Sequence, residues 1–235
     1  MILPYNIMSE IFGEYGLELT EKHYADFDLY ASLLVEWNEK INLTAITDPK
    51  GITIKHFLDS VLIFKYTEIN IDSRFIDVGT GAGFPGIPMK IYKNDLECTL
   101  LDSLNKRVSF LQDVSEKLNL PMNCVHSRAE DGGKSPLLRG SFDVAVARAV
   151  AALPVLCEYC MPYVKIGGKF IAMKGPNENY KDACTAYKTL GGEIEDVKEY
   201  FLPSGDKRQI IIIVKIKDTP HKYPRNSAQI AKKHL

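Results

Sequence analysis

Residues 75–88 read Phe75-Ile-Asp-Val-Gly79-Thr-Gly81-Ala-Gly83-Phe-Pro-Gly86-Ile-Pro88, and this stretch decides the fold class of the chain. A short apolar segment leads into an acidic residue and then into a turn with four glycines in eight positions. Glycine tolerates positive φ and lets the backbone approach a ligand closely. A strand, a glycine turn and a helix, in this order, leave backbone N–H groups free for a nucleotide-like cofactor.

Two cofactor classes fit this turn. Gly81-x-Gly83-x-x-Gly86 matches the dinucleotide fingerprint, which would indicate an NAD-dependent oxidoreductase. The overlapping frame Asp77-x-Gly79-x-Gly81-x-Gly83 indicates S-adenosylmethionine instead. The turn alone leaves both classes open.

The composition is that of an ordinary globular protein. The chain has 235 residues, 46% hydrophobic and 25% charged, which suffices for one α/β domain with an extension. Its net charge of −1 means that any nucleic-acid surface must be a local patch. We see no signal peptide, and the longest apolar run, Ile210–Val214, is too short to span a membrane. We therefore expect a cytoplasmic protein without membrane contact.

The five cysteines follow no disulfide or metal-site spacing. Cys157-x-x-Cys160 has no second pair and no nearby histidine to complete a site. Two small apolar residues on one helical face explain the pair better than a ligand site does. We expect free thiols and no metal.

The hydrophobic pattern divides the chain into three parts. Residues 1–67 show helical periodicity and predict an N-terminal helical extension. Residues 68–217 alternate strand-like runs, at 74–78, 97–101, 142–147, 168–173 and 208–216, with helical segments, which predicts a cofactor-binding domain on a parallel sheet. Residues 218–235 form a basic C-terminal tail.

The end of the domain breaks the alternation. Glu193–Leu202 and Gln209–Ile216 are joined by Pro203-Ser-Gly205-Asp, which predicts a β-hairpin. An antiparallel hairpin that closes a parallel sheet is typical of S-adenosylmethionine methyltransferases and unusual in dinucleotide dehydrogenases. The predicted fold is therefore a Rossmann-like, class I methyltransferase sheet.

Further candidate residues lie at the ends of successive strands, where α/β sheets bind ligands. Asp102 ends the second strand, where a carboxylate accepts hydrogen bonds from ribose hydroxyls. Ala129-Glu130-Asp131 follows the third strand, where an acid can accept from the adenine amino group. Arg148 ends the fourth strand, where it either forms an ion pair with Glu130 or Asp77 or contacts cofactor or substrate phosphate.

The residues at the end of the fourth strand also indicate which kinds of atom could accept the methyl group. The segment Arg148-Ala-Val-Ala-Ala-Leu-Pro154 lacks the Pro-Pro-aromatic turn of exocyclic-amine methyltransferases and the cysteine nucleophile of pyrimidine C5 enzymes. The absence is compatible with an acceptor atom such as guanine N7, which has a free lone pair and no proton to remove. Catalysis then depends on proximity and alignment, without an obligatory general base.

Five blocks carry a family resemblance across nearly the whole chain. They are Trp37-Asn-Glu-Lys-Ile-Asn42-Leu-Thr44-Ala-Ile, His56-Phe-Leu-Asp59-Ser60, Asp77–Gly86, Asp143-Val-Ala-Val-Ala-Arg148-Ala149 and Met173-Lys174-Gly175. In this order they resemble the glucose-inhibited division protein B family, RsmG. That family methylates N7 of a guanine in bacterial 16S ribosomal RNA.

The resemblance implies roles for particular residues. It places the cofactor against Gly79, Phe84, Ala129, Glu130 and Arg148, with Asp102 and Ser103 near its ribose. With Asp77, Gly81 and Gly83 of the turn, these form the predicted cofactor set. The resemblance also places Asn42, His56, Asp59, Ser60, Arg148 and Lys174 on the RNA-facing side, where Arg148, Asn42, His56 and Lys174 would position the substrate.

The C-terminal tail departs from the family pattern. Tyr223-Pro-Arg225 is kept, but the later glycine and prolines of the family are missing. The basic residues Lys222, Arg225, Lys232 and Lys233 suit an RNA backbone, although a solvated tail would look the same.

We therefore predict an S-adenosylmethionine-dependent guanine-N7 methyltransferase. Its partner would be 16S ribosomal RNA or the small ribosomal subunit, and we expect it to act as a monomer. The alternatives are an NAD-dependent oxidoreductase and a non-catalytic RNA-binding assembly factor.

Overall fold

The computed structural model describes residues 2–235 and contains one seven-stranded sheet in that range. The strands are β1 (Arg74–Val78), β2 (Glu97–Asp102), β3 (Met122–His126), β4 (Phe142–Arg148), β5 (Val164–Lys174), β6 (Gly192–Phe201) and β7 (Lys207–Lys215). They are ordered β3-β2-β1-β4-β5-β7-β6. Strands β1 to β5 are parallel, and β7 is antiparallel to both β5 and β6. The predicted class I sheet and its terminal hairpin are confirmed.

The helices flank the sheet and precede it. They are α1 (Tyr5–Glu14), α2 (Glu21–Asn38), α3 (Pro49–Gly51), α4 (Asp59–Val61), α5 (Ile63–Tyr66), α6 (Gly86–Tyr92), α7 (Asn105–Lys117), α8 (Ala129–Gly132), α9 (Leu153–Cys160), α10 (Cys184–Thr189) and α11 (Ser227–Lys232). A π-helix covers Ile52–Leu58, and 3-10 helices cover Met161–Tyr163 and Tyr180–Ala183. No helix within residues 2–235 is both long and apolar enough to cross a bilayer.

Two apolar cores lie on the two faces of the sheet. The N-terminal helices share the first core with α6 and α7, and the rings of Phe27 and Phe57 stack there at 4.6 Å. Helices α9 and α10 pack in the second core, which includes Cys157 and Cys160, both wholly buried. This burial raises the pKa of the Cys160 thiol well above its ordinary value. The N-terminal helices therefore cover one face of the sheet, together with α6 and α7.

A π-helix, Ile52–Leu58, lies between the short helices α3 and α4. Helix α3 directly precedes it. Asp48 caps α3 by accepting a hydrogen bond from Gly51 N at 2.8 Å, and Pro49 is the first residue of α3. The π-helix then runs to Leu58 and is continued by α4, which begins at Asp59. Such insertions of an extra residue per turn often occur at functional sites.

The C-terminal segment packs against the body of the protein. Tyr223 and Ile230 are buried, with 7% and 1% of their surface exposed. The Arg139 guanidinium donates hydrogen bonds to the carbonyl oxygens of Thr219 and Tyr223, at 2.6 and 2.8 Å. Residues 219–223 are therefore fixed to the loop that follows α8.

Candidate functional site

Two cavities adjoin at the carboxyl ends of the parallel strands. The glycine-loop cavity, of about 330 Å³, is lined by Val78, Gly79, Leu101, Ser103, Leu104, Ser127, Arg128, Ala129, Glu130, Val150, Tyr159 and Ser227. The strand-tip cavity, of about 340 Å³, is lined by Ile46, Lys55, His56, Asp59, Arg148, Ala149, Met173, Lys174, Gly175 and Arg208. Consecutive residues, Ala149 and Val150, belong to one lining each. The turn after β4 therefore separates the two cavities.

The Asp77 carboxylate supports the glycine loop by accepting hydrogen bonds from residues of the loop. This carboxylate is wholly buried, and its Oδ2 accepts hydrogen bonds from Thr80 Oγ1 at 2.6 Å and Gly86 N at 2.8 Å. Burial raises the pKa of Asp77 to about 6, although these two hydrogen bonds act in the opposite direction. Asp77 is absent from the cavity lining, and its contacts in the structure are with the loop itself, so a direct contact with the cofactor stays a prediction. Its place is beneath the loop.

Asp102 also supports the loop. Its Oδ2 accepts a hydrogen bond from Gly81 N, and its Oδ1 accepts one from Leu104 N, both at 2.9 Å. Its side chain is 3% exposed, with the Arg107 guanidinium 3.6 Å away. Asp102 is not in the cavity lining, whereas its neighbour Ser103 is. The strand-end acid thus ties the glycine turn to α7.

Glycines of the loop differ in what surrounds them. Gly79 lines the cavity with φ of 73°, a conformation that favours glycine. A Cβ on Gly83 would overlap Ile87 Cδ1 and lie 2.9 Å from the Tyr30 hydroxyl. That hydroxyl donates a hydrogen bond to Ala82 O, so α2 supports the loop from behind. Gly83 serves close packing and does not line the cavity.

Glu130 presents the free polar group of the glycine-loop cavity. It is 6% exposed, and its carboxylate makes no hydrogen bond to any other residue in the described range 2–235. The cavity, its Gly79 backbone and this unpaired acceptor fit a ligand that brings hydrogen-bond donors, as S-adenosylmethionine does through its ribose and adenine.

Arg148 is oriented by a buried carboxylate. Its Nη1 donates to Asp59 Oδ2 at 3.1 Å and to Lys55 O at 3.3 Å. Asp59 is 3% exposed and also accepts from the Tyr200 hydroxyl at 2.8 Å, while Arg208 Nε lies 3.7 Å away. Of the two alternatives for Arg148, the structure shows an ion pair, but its partner is Asp59 and neither Glu130 nor Asp77, because the helix that begins at Asp59 brings this carboxylate to the strand tip. The contact of Arg148 with cofactor or substrate stays a prediction.

A stack of rings lies beside Arg148. The rings of His56 and Phe84 stack at 4.2 Å, and the Arg148 guanidinium lies 5.1 Å from the Phe84 ring centre. Burial, and then the charge of Arg148, lowers the pKa of His56 to about 3. The His56 Nε2 is 2.9 Å from Thr44 Oγ1. The imidazole is therefore neutral at physiological pH and a poor base.

Lys174 fixes the turn between the cavities. Its ammonium donates to Ala151 O at 2.5 Å and pairs with Glu178 Oε2 at 2.7 Å. Glu178 Oε1 in turn accepts from Leu153 N at 2.7 Å, at the start of α9. Lys174 thus lines the strand-tip cavity and holds residues 151–153 in place.

Several predicted residues lie outside both cavities. Asn42 lines a separate depression with Ile41 and residues 104–107. Ser60 is wholly buried and donates to His56 O at 2.5 Å. Phe84 is 7% exposed and contributes through its stack. Lys222, Lys232 and Lys233 are exposed, whereas Arg225 is paired with the buried Glu158.

The structure adds residues that sequence reasoning missed. Tyr200 and Arg208 reach the strand-tip network from the hairpin, and Arg128, Tyr159 and Ser227 line the glycine-loop cavity. Arg208 had one usable signal, since it lies two residues before the apolar run Ile210–Val214 of β7. Within residues 2–235 no three His, Cys, Asp or Glu side chains converge as a metal site would require.

Solved structures that share this fold include methyltransferases. One from Aquifex aeolicus, described as a SAM dependent methyltransferase, aligns with a TM-score of 0.56 at 16% identity, covering 79% of this chain and 98% of that one. A geranyl diphosphate C-methyltransferase from Streptomyces coelicolor, solved with S-adenosyl-L-homocysteine, aligns with a TM-score of 0.52 at 8% identity, covering 67% and 78%. The fold is therefore that of the class I methyltransferases.

Sequence similarity narrows this class to one family. The chain is 49% identical to a protein of Clostridium botulinum strain Eklund 17B and 48% identical to one of Clostridium perfringens strain 13. Each alignment covers 98% of both chains, and both proteins are named ribosomal RNA small subunit methyltransferase G. The family model GidB, rRNA small subunit methyltransferase G, matches residues 23–211. The chain belongs to this family, and the dehydrogenase interpretation of the glycine turn is set aside.

Proposed function

We propose that this protein transfers the methyl group of S-adenosylmethionine to N7 of a guanine in 16S ribosomal RNA. The observation that carries the proposal is the pair of adjoining cavities on either side of the turn after β4. One cavity suits the methyl donor, the other suits a base, and family membership supports ribosomal RNA as the substrate. Because ribosomal RNA is a cytoplasmic substrate, we propose that the protein acts in the cytoplasm. We also propose that it acts as a monomer.

The glycine-loop cavity is the proposed cofactor site. S-adenosylmethionine bound there would supply a sulfonium methyl group: the N7 lone pair would form the new N–C bond as the S–C bond breaks, S-adenosylhomocysteine would leave, and no proton would have to be removed. Gly79, Ser103, Ala129 and Glu130 would contact the cofactor directly, since they line the cavity. Asp77, Gly81 and Asp102 would act by shaping the loop. The Glu130 carboxylate would accept hydrogen bonds from the ligand.

The strand-tip cavity is the proposed acceptor site. Arg148, fixed by Asp59, presents a guanidinium whose remaining N–H groups suit the acceptor atoms of a guanine or a phosphate. Lys55, Lys174 and Arg208 add positive charge to the same lining. Alignment by these groups replaces a general base, in keeping with the neutral His56.

The three parts of the chain have distinct proposed tasks. The N-terminal extension was predicted over residues 1–67, and its described part, residues 2–67, covers the sheet and supplies His56 and Asp59 to the acceptor cavity. Residues 68–217 form the methyltransferase domain. Residues 218–235 supply the exposed Lys222, Lys232 and Lys233, which we propose contact RNA.

The direct test is incubation of small-subunit RNA, or small subunits, with labelled S-adenosylmethionine. Wild type is expected to label a guanine at N7, and Arg148→Ala to label it at least about a hundredfold more slowly, because misplaced reactants lose most of the proximity effect. Binding of RNA without any transfer would favour an assembly factor over an enzyme.

A further inference from the structure

The C-terminal tail meets the cofactor cavity. Ser227 is part of the lining of the glycine-loop cavity, together with Arg128, Ala129, Glu130 and Tyr159. Arg128 Nη1 donates to Ser227 Oγ at 3.4 Å. A hydroxyl and a guanidinium therefore stand in the cavity wall next to the unpaired Glu130 carboxylate.

A buried ion pair holds this part of the tail. Glu158 in α9 is wholly buried, and its Oε1 accepts from Arg225 N at 2.8 Å and from Arg225 Nε at 2.9 Å. Its Oε2 accepts from Arg225 Nη2 at 2.6 Å. The next residue in α9 is Tyr159, which lines the cavity. The ion pair thus fixes Ser227 relative to Tyr159.

A second set of contacts joins the tail to α8 and the residues that follow it. Arg139 Nη1 donates to both Gly133 O and Tyr223 O, at 2.9 and 2.8 Å. Gly133 directly follows α8, the helix that carries Ala129 and Glu130. A Cβ on Gly133 would lie 3.2 Å from Pro224 Cγ, so the two segments pack closely. The tail is therefore fixed next to both helices, α8 and α9, that contribute residues to the cavity lining.

We propose that residues 223–227, the C-terminal wall, complete the cofactor site. In this assignment Arg128 and Ser227 are cofactor-positioning residues, and Arg225 is a positioning residue that acts through Glu158. The assignment rests on the proposed use of S-adenosylmethionine. It gives Arg225 a role in cofactor binding, distinct from the RNA contact expected from its charge.

The test compares two leucine substitutions in neighbouring positions of the full-length chain. Ser227→Leu places an apolar side chain in the cavity wall, whereas Ala228→Leu adds the same side chain at an exposed position outside the lining. We expect Ser227→Leu to raise the dissociation constant for S-adenosylhomocysteine at least about tenfold, because the cavity loses volume and a hydroxyl. Ala228→Leu is expected to bind like wild type, and calorimetric titration measures both.

The outcomes separate this inference from the proposed function. If wild type binds no S-adenosylhomocysteine, the proposed function itself fails. If wild type binds and Ser227→Leu binds equally well, the C-terminal wall is not part of the site.

Arg225 provides an independent arm. Arg225→Ala is expected to raise KM for S-adenosylmethionine while KM for RNA stays unchanged, and Arg225→Lys to restore part of the cofactor affinity. Thermal unfolding establishes that each variant is folded at the assay temperature, and should Arg225→Ala not fold, the Ser227 comparison decides alone. A rise in KM for RNA only would return Arg225 to RNA binding and overturn the assignment.

Discussion

At the scale of single residues, Asp77 shows how one buried carboxylate supports the cofactor loop. Its Oδ2 accepts two hydrogen bonds, whereas its Oδ1 is buried without a partner among the described residues. A proton on Oδ1 would leave both existing bonds intact. The rise of its pKa from 3.8 to about 6 follows from this desolvation.

We predict a pH-dependent contribution of Asp77 to stability. The folded protein holds a proton that the unfolded chain releases at lower pH, so the contribution is complete below about pH 4 and is lost as the pH rises through about 6. The size of the loss is on the order of 3 kcal/mol, at about 1.4 kcal/mol for each unit of pKa. Urea unfolding of wild type and Asp77→Asn from pH 4 to 7 measures it.

The difference in unfolding free energy between wild type and Asp77→Asn should decline across this range. A constant difference would show that Asp77 ionises at its ordinary pKa and that its burial is relieved in solution.

His56 gives a second prediction at this scale. With its pKa lowered to about 3, the imidazole should remain neutral from pH 8 down to about pH 5. The unfolded chain binds a proton near pH 6.5, so His56 removes stability as the pH falls below that value. The ring resonances of His56, identified by their loss in His56→Gln, are expected not to titrate. A midpoint near 6.5 would contradict the packed arrangement with Phe84 and Arg148.

The acids at the strand ends also mark a limit of sequence reading. Asp77 and Asp102 were predicted from apolar runs, and Glu130 from a third strand assumed before it. All three lie near the carboxyl ends of β1, β2 and β3, as predicted. Only Glu130 faces the cavity with a free carboxylate. The direction of a side chain at a strand end depends on which backbone N–H groups the following turn presents, and sequence spacing does not fix that.

At the scale of elements, the start of α6 depends on a helical glycine. A Cβ on Gly86 would overlap Leu100 Cδ2 and lie 2.9 Å from Asp77 Oδ2. This contact explains why glycine occupies a helical position where alanine has the higher propensity. The helix therefore approaches β1 and β2 more closely than a side chain would permit.

Gly86→Ala is accordingly predicted to destabilise the fold by about 1–3 kcal/mol through overpacking. The matched control is Gly13→Ala in α1, where an added Cβ meets nothing within 4 Å. That control should be neutral or stabilising by up to about 1 kcal/mol, in line with helix propensity. Chemical denaturation of both variants measures the contrast, and equal effects would contradict the close approach of α6 to the sheet.

The hairpin and β3 illustrate what element patterns reveal. The hairpin was predicted almost at its observed bounds, because the apolar run of β7 and the Pro203–Asp206 turn are strong local signals. Strand β3 was missing from the predicted runs, although a third strand was assumed before Ala129. Its residues are half-buried or exposed at the edge of the sheet, so they carry little apolar signal. Asp48-Pro49 marks the start of a helix toward His56, and the structure has one, but the sequence carries no signal for the π geometry of Ile52–Leu58.

At the scale of the whole molecule, charge must be local to bind RNA. The chain carries a net charge of −1, yet residues 217–235 hold five Lys and Arg side chains against Asp218. Lys232 and Lys233 are exposed near the C-terminal wall. They are well placed to neutralise RNA phosphates close to the cofactor site.

We predict that Lys232 and Lys233 together contribute about one to two units to the slope of log affinity for RNA against log salt. The double variant Lys232→Ala/Lys233→Ala should lose that part of the slope and retain its affinity for S-adenosylhomocysteine. The control variant Lys22→Ala/Lys93→Ala removes the same two positive charges. Both lysines line a depression with Asp95, which lies just before the amino end of β2, so they lie at the end of the sheet opposite the cofactor site. The affinity of each double variant for RNA is measured across a series of salt concentrations. Equal slopes for the two variants would contradict a specific role of the tail.

We propose that the protein methylates N7 of a guanine in small-subunit ribosomal RNA, with the cofactor in one of the two adjoining cavities and the base in the other. The most direct measurement maps 7-methylguanosine in 16S ribosomal RNA from a strain lacking this gene, complemented with wild type or with Arg148→Ala. We predict that one modified guanine disappears in the deletion strain, returns with wild type and does not return with Arg148→Ala at equal protein level. An unchanged set of 7-methylguanosines in the deletion strain would contradict the account.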